Sequence, residues 1–305
     1  MNATKNKFIN KYFYFWGQLI GMNLDREILE PFILNAIAED IGNGDHTSLS
    51  TIPAGQLGKA KLLIKDSGIL AGIEVALEIF KTIDSKLSVE VLINDGKTVN
   101  YGDIAFYVSG SVHSILKAER LVLNTMQRMS GIASKTNRIV KILEGTGTQV
   151  LDTRKTTPGL RYLEKMSVKI GGGVNHRFGL YDMILIKDNH VDYAGGISNA
   201  IRSAQNYLAI NQIKIPVEIE VRSLFELSEV IEIGGVDRIL LDNFDFVALR
   251  EAVEQINGIY ITEASGGITE ENVLDYANCG VDYVSMGALT HSVRSLDMSL
   301  KAVNS

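Results

Sequence analysis

From Gln149 onward the sequence alternates short apolar runs with amphipathic segments, and this alternation limits the fold more than any other feature. The runs QVLDT, DMILIKD, PVEIEV, DRILLDN, GIYITEASGG and DYVSMGA read as strands, and 198–208, 224–231, 247–256 and 270–277 between them carry apolar residues at helical spacing. Strands separated by helices pair in parallel through right-handed crossovers. Asp152, Arg154, Lys187, Glu220, Asp242, Ser265 and Gly287 fall at the carboxyl ends of the runs, where an α/β barrel carries its active site. The runs are too few for a full eight-stranded barrel, so the barrel is predicted to be incomplete and open on one side.

A chain of 305 residues has room for a second domain. Ahead of the barrel, KAKLLIKDSGILAG, LSVEVLIND and IAFYVSGSV are rich in strand formers, with turn signals at Asp95-Gly96 and Gly102-Asp103 and a short helical run over 73–83. This half reads as a small sheet carrying helices. A helix is predicted over 25–38, followed by EDIGNGDHTS over 39–48. Asp40, Asp45 and His46 there have metal-ligating side chains, but a hydrogen-bonded turn is the preferred reading. A long helix over 114–143 places Leu116, Leu121, Leu123, Met126 and Met129 in the core or against a partner. Arg120 lies early in this helix, which leads to the barrel.

The N-terminal FINKYFYFWGQLIG follows two lysines like a signal sequence, but Lys11, Gly17 and Gln18 interrupt it and no small-residue cleavage site is evident. It is too short and too polar to span a bilayer. Residues 1–22 are expected to form a poorly ordered extension. The one cysteine, Cys279, excludes an intrachain disulfide framework and suits the reducing cytoplasm.

Lys and Arg number 30 against 36 Asp and Glu, yet the window from Leu151 to His190 runs the other way. Arg154, Lys155, Arg161, Lys165, Lys169, Arg177 and Lys187 there outnumber Asp152, Glu164, Asp182 and Asp188. Positive charge concentrated beside Gly171, Gly172 and Gly173 in an acidic chain points to a pocket for a small polyanion, not to a nucleic-acid surface. Arg161, Lys165 and Lys169 are expected to remain helix-surface charges. Glu220 and Asp242 suit an oxygen-ligated Mg²⁺ or sugar hydroxyls, with acid–base use and an ion pair to a lysine as alternatives. Gly266, Gly267 and Gly287 open turns ahead of helices, where backbone N–H groups approach phosphate closely. His291 suits a phosphate contact or a cap. Lys187 suits a Schiff base or charge neutralisation, the latter preferred among so many cations.

These residues lie in motifs that resemble the quinolinate phosphoribosyltransferase family, the carboxylating nicotinate-nucleotide pyrophosphorylases. The motifs are EDIGNGDHTS, AERLVLNTMQRMSGIAS, LDTRKTTPGLR, GGGVNHRFGLYDMILIKDNH, VEIEV, LLDN, EASGGI and SMGALTHS, and the resemblance runs from about Leu24 to the C-terminus. It implies an N-terminal α/β sandwich domain (23–130 with 291–305) and an open α/β barrel (131–290). It implies that Arg154, His176 and Arg177 hold the two carboxylates of quinolinate, with Lys155 and Lys187 between that site and the phosphoribosyl site. Arg120 is implied to enter the pocket of a neighbouring subunit, making a homodimer. Glu220 and Asp242 are implied to bind ribose hydroxyls and Mg²⁺, and Ser265, Gly266, Gly287 and His291 the phosphate.

The implied reaction moves phosphoribosyl from phosphoribosyl pyrophosphate to the pyridine nitrogen, with decarboxylation and no organic cofactor; Lys155, Lys187, Glu220 and Asp242 are its implied catalytic group. Arg222 follows VEIEV where many relatives are expected to carry an acidic or small polar residue; solvent exposure is expected of it. The alternatives are a transferase of the same scaffold for another acid, as in a molybdenum-associated relative, a non-catalytic phosphosugar-binding barrel, and a Schiff-base aldolase.

Overall fold

A computed structural model describes residues 24–303; the N-terminal extension and its expected disorder lie outside the described residues. In chain order the strands are β1 (Leu57–Ile64), β2 (Gly68–Ile69), β3 (Ser88–Val91), β4 (Thr98–Val99), β5 (Ile104–Ser111), β6 (Gln149–Leu151), β7 (Ile184–Ile186), β8 (Val217–Val221), β9 (Arg238–Asp242), β10 (Ile261–Ser265), β11 (Tyr283–Ser285) and β12 (Met298–Ala302). The chain divides into two compact units, residues 24–137, 158–172 and 293–303 in one and residues 138–157 and 173–292 in the other.

The first unit is built on an antiparallel sheet in the order β12-β1-β5-β3. Alternation along β1 buries Ala60, Leu62 and Ile64 on one face. Helix Ile73–Ile83 buries Ile73, Val75, Ala76, Ile79 and Phe80, and the Phe80 ring meets Phe106 of β5 edge-on at 5.7 Å. The long helix, Val112–Ile142, buries Ile115, Ala118, Val122, Leu123, Met126 and Met129, while Leu116 stays exposed. Gly72 (φ +104°) lies so near that helix that a Cβ there would stand 3.3 Å from the Met126 Cα. The turn can approach the helix because the position has no side chain.

Two expectations change in this unit. The 39–48 segment is not one loop: helix Arg26–Ile41 continues into it, and helix His46–Thr51 begins within it. Asp45 caps the second helix, accepting from the backbone N and the hydroxyl of Ser48, so its carboxylate serves structure, as the turn reading anticipated. Lys165 is not a surface charge. Helix Arg161–Ile170 buries Tyr162, Leu163, Glu164, Lys165, Ser167 and Val168 together, residues too widely spaced to share one face. The helix joins the first unit through an Arg128–Glu164 ion pair, the Tyr162 hydroxyl, which accepts from Asp25 N, and a bond from Asn137 Nδ2 to Gly171 O.

The second unit carries an all-parallel six-stranded sheet in the order β6-β11-β10-β9-β8-β7. Read as a ring, this is the chain order, with no pairing between β6 and β7 among the described residues. It is a barrel-like sheet left open at one seam. Every residue of β8 is buried, with Val217, Ile219 and Val221 on one face and Glu218 and Glu220 on the other. Helix Leu224–Ile233 buries Leu227 and Val230, and helix Phe246–Ile256 buries Leu249, Ala252 and Ile256. The apolar alternate face is thereby the helix-covered one, and the carboxylates are left to the interior.

Candidate functional site at the strand ends

The carboxyl ends of β7, β8 and β9 bring together Lys187, Glu220 and Asp242. Lys187 Nζ lies 2.8 Å from Glu220 Oε2; the lysine is about half exposed and the glutamate nearly buried. Burial pushes the Asp242 carboxyl above its ordinary value, and the Glu220 charge adds to the push while Lys187 opposes it. A carboxyl whose ionisation is opposed both by burial and by a neighbouring carboxylate makes a place that a cation relieves. The donor set is all oxygen, which fits Mg²⁺. Asn243 Nδ2 donates to Asp242 Oδ2 at 2.6 Å, fixing one oxygen of that carboxylate.

On the β6 side, Asp152 is fully buried and fixes the backbone around His176. Its Oδ1 accepts from His176 N at 2.8 Å and its Oδ2 from Asn175 Nδ2 at 2.6 Å. His176 and Arg177 are buried in turn. The Arg177 guanidinium donates to Met183 O at 3.1 Å. Burial lowers its pKa below the ordinary arginine value, and the charge of Arg154 lowers it further, against the pull of Glu218 and Asp182. Arg154 is exposed and makes no ion pair among the described residues. Two arginines that repel each other in a partly dry setting are stabilised by an anion between them.

Around the remaining strand ends the backbone comes close to the surface. Gly266 has φ +98°, and a Cβ there would stand 2.2 Å from Asn243 Oδ1 and 2.9 Å from Asn243 N. Asn243 N donates to Ser265 O at 2.9 Å, tying the β9 end to the β10 end. At Gly287 a Cβ would meet the Lys155 side chain at 3.0 Å and the His291 ring at 3.1 Å. Thr290 Oγ1 donates to Lys155 O at 2.9 Å, so the Lys155 loop rests on the turn after β11. His291 Nδ1 lies 2.7 Å from Ser292 Oγ.

Of the expected site residues, Arg154, Lys155, His176, Arg177, Lys187, Glu220, Asp242, Ser265, Gly266, Gly287 and His291 all belong to the second unit. Arg120 belongs to the first, on the long helix, and is exposed. Arg222 is engaged: its guanidinium pairs with Glu226 at 2.7 Å and with Asp192 at 3.5 Å. It remains partly exposed, but its charge is already met.

Sequence reasoning missed the polar interior beneath the site. Glu218 of β8 and Glu263 of β10 are wholly buried, and Arg238 of β9 reaches both, with Nη1 3.0 Å from Glu263 Oε2 and 4.0 Å from Glu218 Oε2. Burial raises the pKa of both carboxyls, and for Glu263 the proximity of Glu218 adds to the shift. Burial works against the Arg238 charge, but Glu218 and Glu263 more than restore it. The available signal was the alternation in VEIEV, which puts Glu218 on the same face as Glu220.

The fold and these side chains define an open-seamed parallel barrel with cationic and carboxylate side chains gathered at its strand ends. The N-terminal domain of quinolinate phosphoribosyl transferase matches residues 45–130, and its C-terminal domain matches residues 132–301. The chain belongs to the quinolinate phosphoribosyltransferase family. It is 47% identical over 281 residues to the mitochondrial quinolinate phosphoribosyltransferase [decarboxylating] 2a of Nicotiana tabacum, covering 87% of this chain and 80% of that one. It is 42% identical to a probable nicotinate-nucleotide pyrophosphorylase [carboxylating] of Bacillus subtilis, covering 90% of this chain and 92% of the relative. Among solved structures, NadC from Streptococcus pyogenes superposes with a TM-score of 0.87 at 36% identity, over 92% of this chain and 99% of that one.

Proposed function

We propose that the protein transfers the phosphoribosyl group of phosphoribosyl pyrophosphate to quinolinate, giving nicotinate mononucleotide, pyrophosphate and CO₂. The observation that carries this reading is the Arg154–Arg177 pair, whose mutual repulsion an acceptor with two adjacent carboxylates relieves. On this reading His176 belongs to the same clamp, and Lys155 and Lys187 bridge from it towards the pyrophosphate. Ser265, Gly266, Gly287 and His291 receive phosphate oxygens through backbone N–H groups and the imidazole. Glu220 and Asp242 hold ribose hydroxyls and would hold Mg²⁺. When bound, Mg²⁺ supplies charge neutralisation for the phosphate oxygens.

The chain's own groups account for the rest. The C1–O bond to pyrophosphate breaks, leaving oxocarbenium-like charge on the ribose, and cationic side chains stabilise the departing anion. The pyridine nitrogen, held in line by the arginine clamp, supplies the electron pair for the new N–C1 bond. The ring nitrogen is then cationic, so the electron pair left on the neighbouring carbon as CO₂ departs is stabilised until that carbon takes a proton. No organic cofactor enters this sequence.

The working unit on this reading is a homodimer in the cytoplasm, with Arg120 of each chain reaching the acceptor pocket of the other. No nucleic acid takes part. No helix among the described residues is long and apolar enough to cross a membrane. Pyrophosphate and CO₂ release from the purified protein with quinolinate and phosphoribosyl pyrophosphate is the test. Pyrophosphate release with nicotinate but none with quinolinate overturns the assignment.

A further inference from the structure

The His176 imidazole is held from both sides. Its Nδ1 accepts the Arg177 backbone N–H at 2.7 Å, which leaves Nε2 as the nitrogen that carries the ring proton. Nε2 faces two buried carboxylates, 3.1 Å from Glu218 Oε2 and 3.4 Å from Glu263 Oε2. Arg238 anchors Glu263 from the other side, and its guanidinium lies 4.9 Å from the centre of the Tyr283 ring. The backbone beneath the ring is pinned by Asp152.

This arrangement is costly. Among the described residues both Glu218 oxygens and Glu263 Oε1 are buried without an aligned hydrogen bond, although the two carboxyls lie close enough to interact with each other. The Nε2 contacts are charge–dipole proximities rather than aligned bonds. An interior kept only for stability would replace such a group with apolar side chains at little loss. The same imidazole and carboxylates are close enough together to ligate a cation. Arg238 already provides a positive charge 3.0 Å from Glu263 and 4.0 Å from Glu218, which leaves little electrostatic demand for a metal.

We propose that Glu218 and Glu263, braced by Arg238, are positioning residues of the acceptor site. They hold the His176 ring in its Nε2–H tautomer, with Nδ1 receiving the Arg177 N–H and thereby directing that backbone turn. The inference deepens the proposed function and rests on Arg177 and His176 serving the dicarboxylate.

Steady-state kinetics of Glu218→Gln and Glu263→Gln test it, each substrate being varied in turn. The quinolinate KM should rise by about 10-fold or more, the loss of one charge-assisted contact. The KM for phosphoribosyl pyrophosphate should stay unchanged, and the melting temperature should not fall. Glu218→Asp should restore part of the quinolinate affinity, because it returns the charge at a shorter reach. An unchanged quinolinate KM in both Gln variants, or an equal rise in both KM values, overturns the inference. Absence of quinolinate turnover in the unaltered protein instead rejects the functional reading on which it rests. Long-range ¹H–¹⁵N correlation in the unaltered protein gives an independent arm: a protonated Nε2 is expected at His176, and an Nδ1–H tautomer overturns the inference even if the variants do not fold.

Discussion

Lys187 Nζ and Glu220 Oε2 lie 2.8 Å apart at the ends of neighbouring parallel strands, an ammonium met by a nearly buried carboxylate. A Schiff base requires a neutral amine with a free electron pair, which an ion-paired ammonium lacks. Borohydride reduction in the presence of a carbonyl substrate should therefore leave Lys187 unmodified in a peptide mass map. A reduced adduct on Lys187 would restore the aldolase alternative.

The same pair predicts the effect of removing the lysine. Lys187→Ala leaves Glu220 and Asp242 facing each other without the nearest cation, in a place where burial already disfavours the ionised Asp242. The loss of one charge-assisted contact should lower kcat/KM by about 10- to 100-fold, corresponding to about 1.5–3 kcal/mol. Lys187→Arg should recover little, because a planar fork does not reproduce a compact ammonium at this distance.

Arg154 and Arg177 should separate by substrate rather than by turnover. Arg154→Ala removes an exposed cation whose charge acts on Arg177, so the quinolinate KM should rise by about 10-fold while the KM for phosphoribosyl pyrophosphate holds. Loss of affinity for both substrates would mean that the arginines serve the leaving group instead.

Gly266 is constrained twice. Its φ of +98° disfavours any side chain, and a Cβ would collide with both the side chain and the backbone N of Asn243. Gly266→Ala should cost about 1–2 kcal/mol from the backbone conformation alone, with displacement of Asn243 added. Since Asn243 also holds Asp242, the affinity for phosphoribosyl pyrophosphate should fall along with the melting temperature.

Asp95 of the first unit gives a pH-dependent prediction. It accepts from Ile73 N at 2.8 Å, at the start of helix Ile73–Ile83, but its Oδ2 is buried without a hydrogen-bond partner among the described residues, and burial pushes its pKa from 3.8 to about 6. A raised carboxyl binds its proton more tightly in the folded state. Its contribution is therefore complete below about pH 4 and is lost as pH rises through about 6, at most about 3 kcal/mol in all. Asp95→Asn keeps an acceptor for Ile73 N without the charge. Its melting temperature relative to the unaltered protein should thus increase from about pH 4 to about pH 7; a constant difference would contradict the shift.

Features with a local period were legible in the sequence. The six parallel strands could be read because each apolar run is bounded by turn residues and followed by a helix. Lys187, Glu220 and Asp242 could be placed because strand-end position derives from that period alone. The Glu218–Glu263–Arg238 interior was not legible, since its members come from three strands and each looks like an ordinary charged residue until the sheet curls. Lys165 misled for the opposite reason: a lysine on a short amphipathic helix has a solvent-exposed default that this helix, buried around most of its girth, does not obey. β12 was invisible because MSLKA pairs with β1 at the far end of the chain, where Leu300 faces Leu62, and no local pattern encodes that register.

Arg120 offers a test of assembly that needs no structure of a complex. It lies on the long helix of the first unit, exposed, whereas Lys187 belongs to the second. If each acceptor pocket takes Arg120 from one chain and Lys187 from the other, an Arg120→Ala chain and a Lys187→Ala chain are each impaired at every site as homodimers. Mixed, they form dimers in which one pocket lacks both residues and the other has both. Half of the sites in the mixed dimers should then work at the unaltered rate, with the acceptor KM of the unaltered protein. Activity that stays at the level of the separate variants, in a sample where heterodimers are demonstrated by differently tagged chains, would place Arg120 and Lys187 in the service of the same chain's site or remove Arg120 from the site altogether. An acceptor KM intermediate between those of the variants would equally contradict the shared pocket, because the restored site contains no substituted residue.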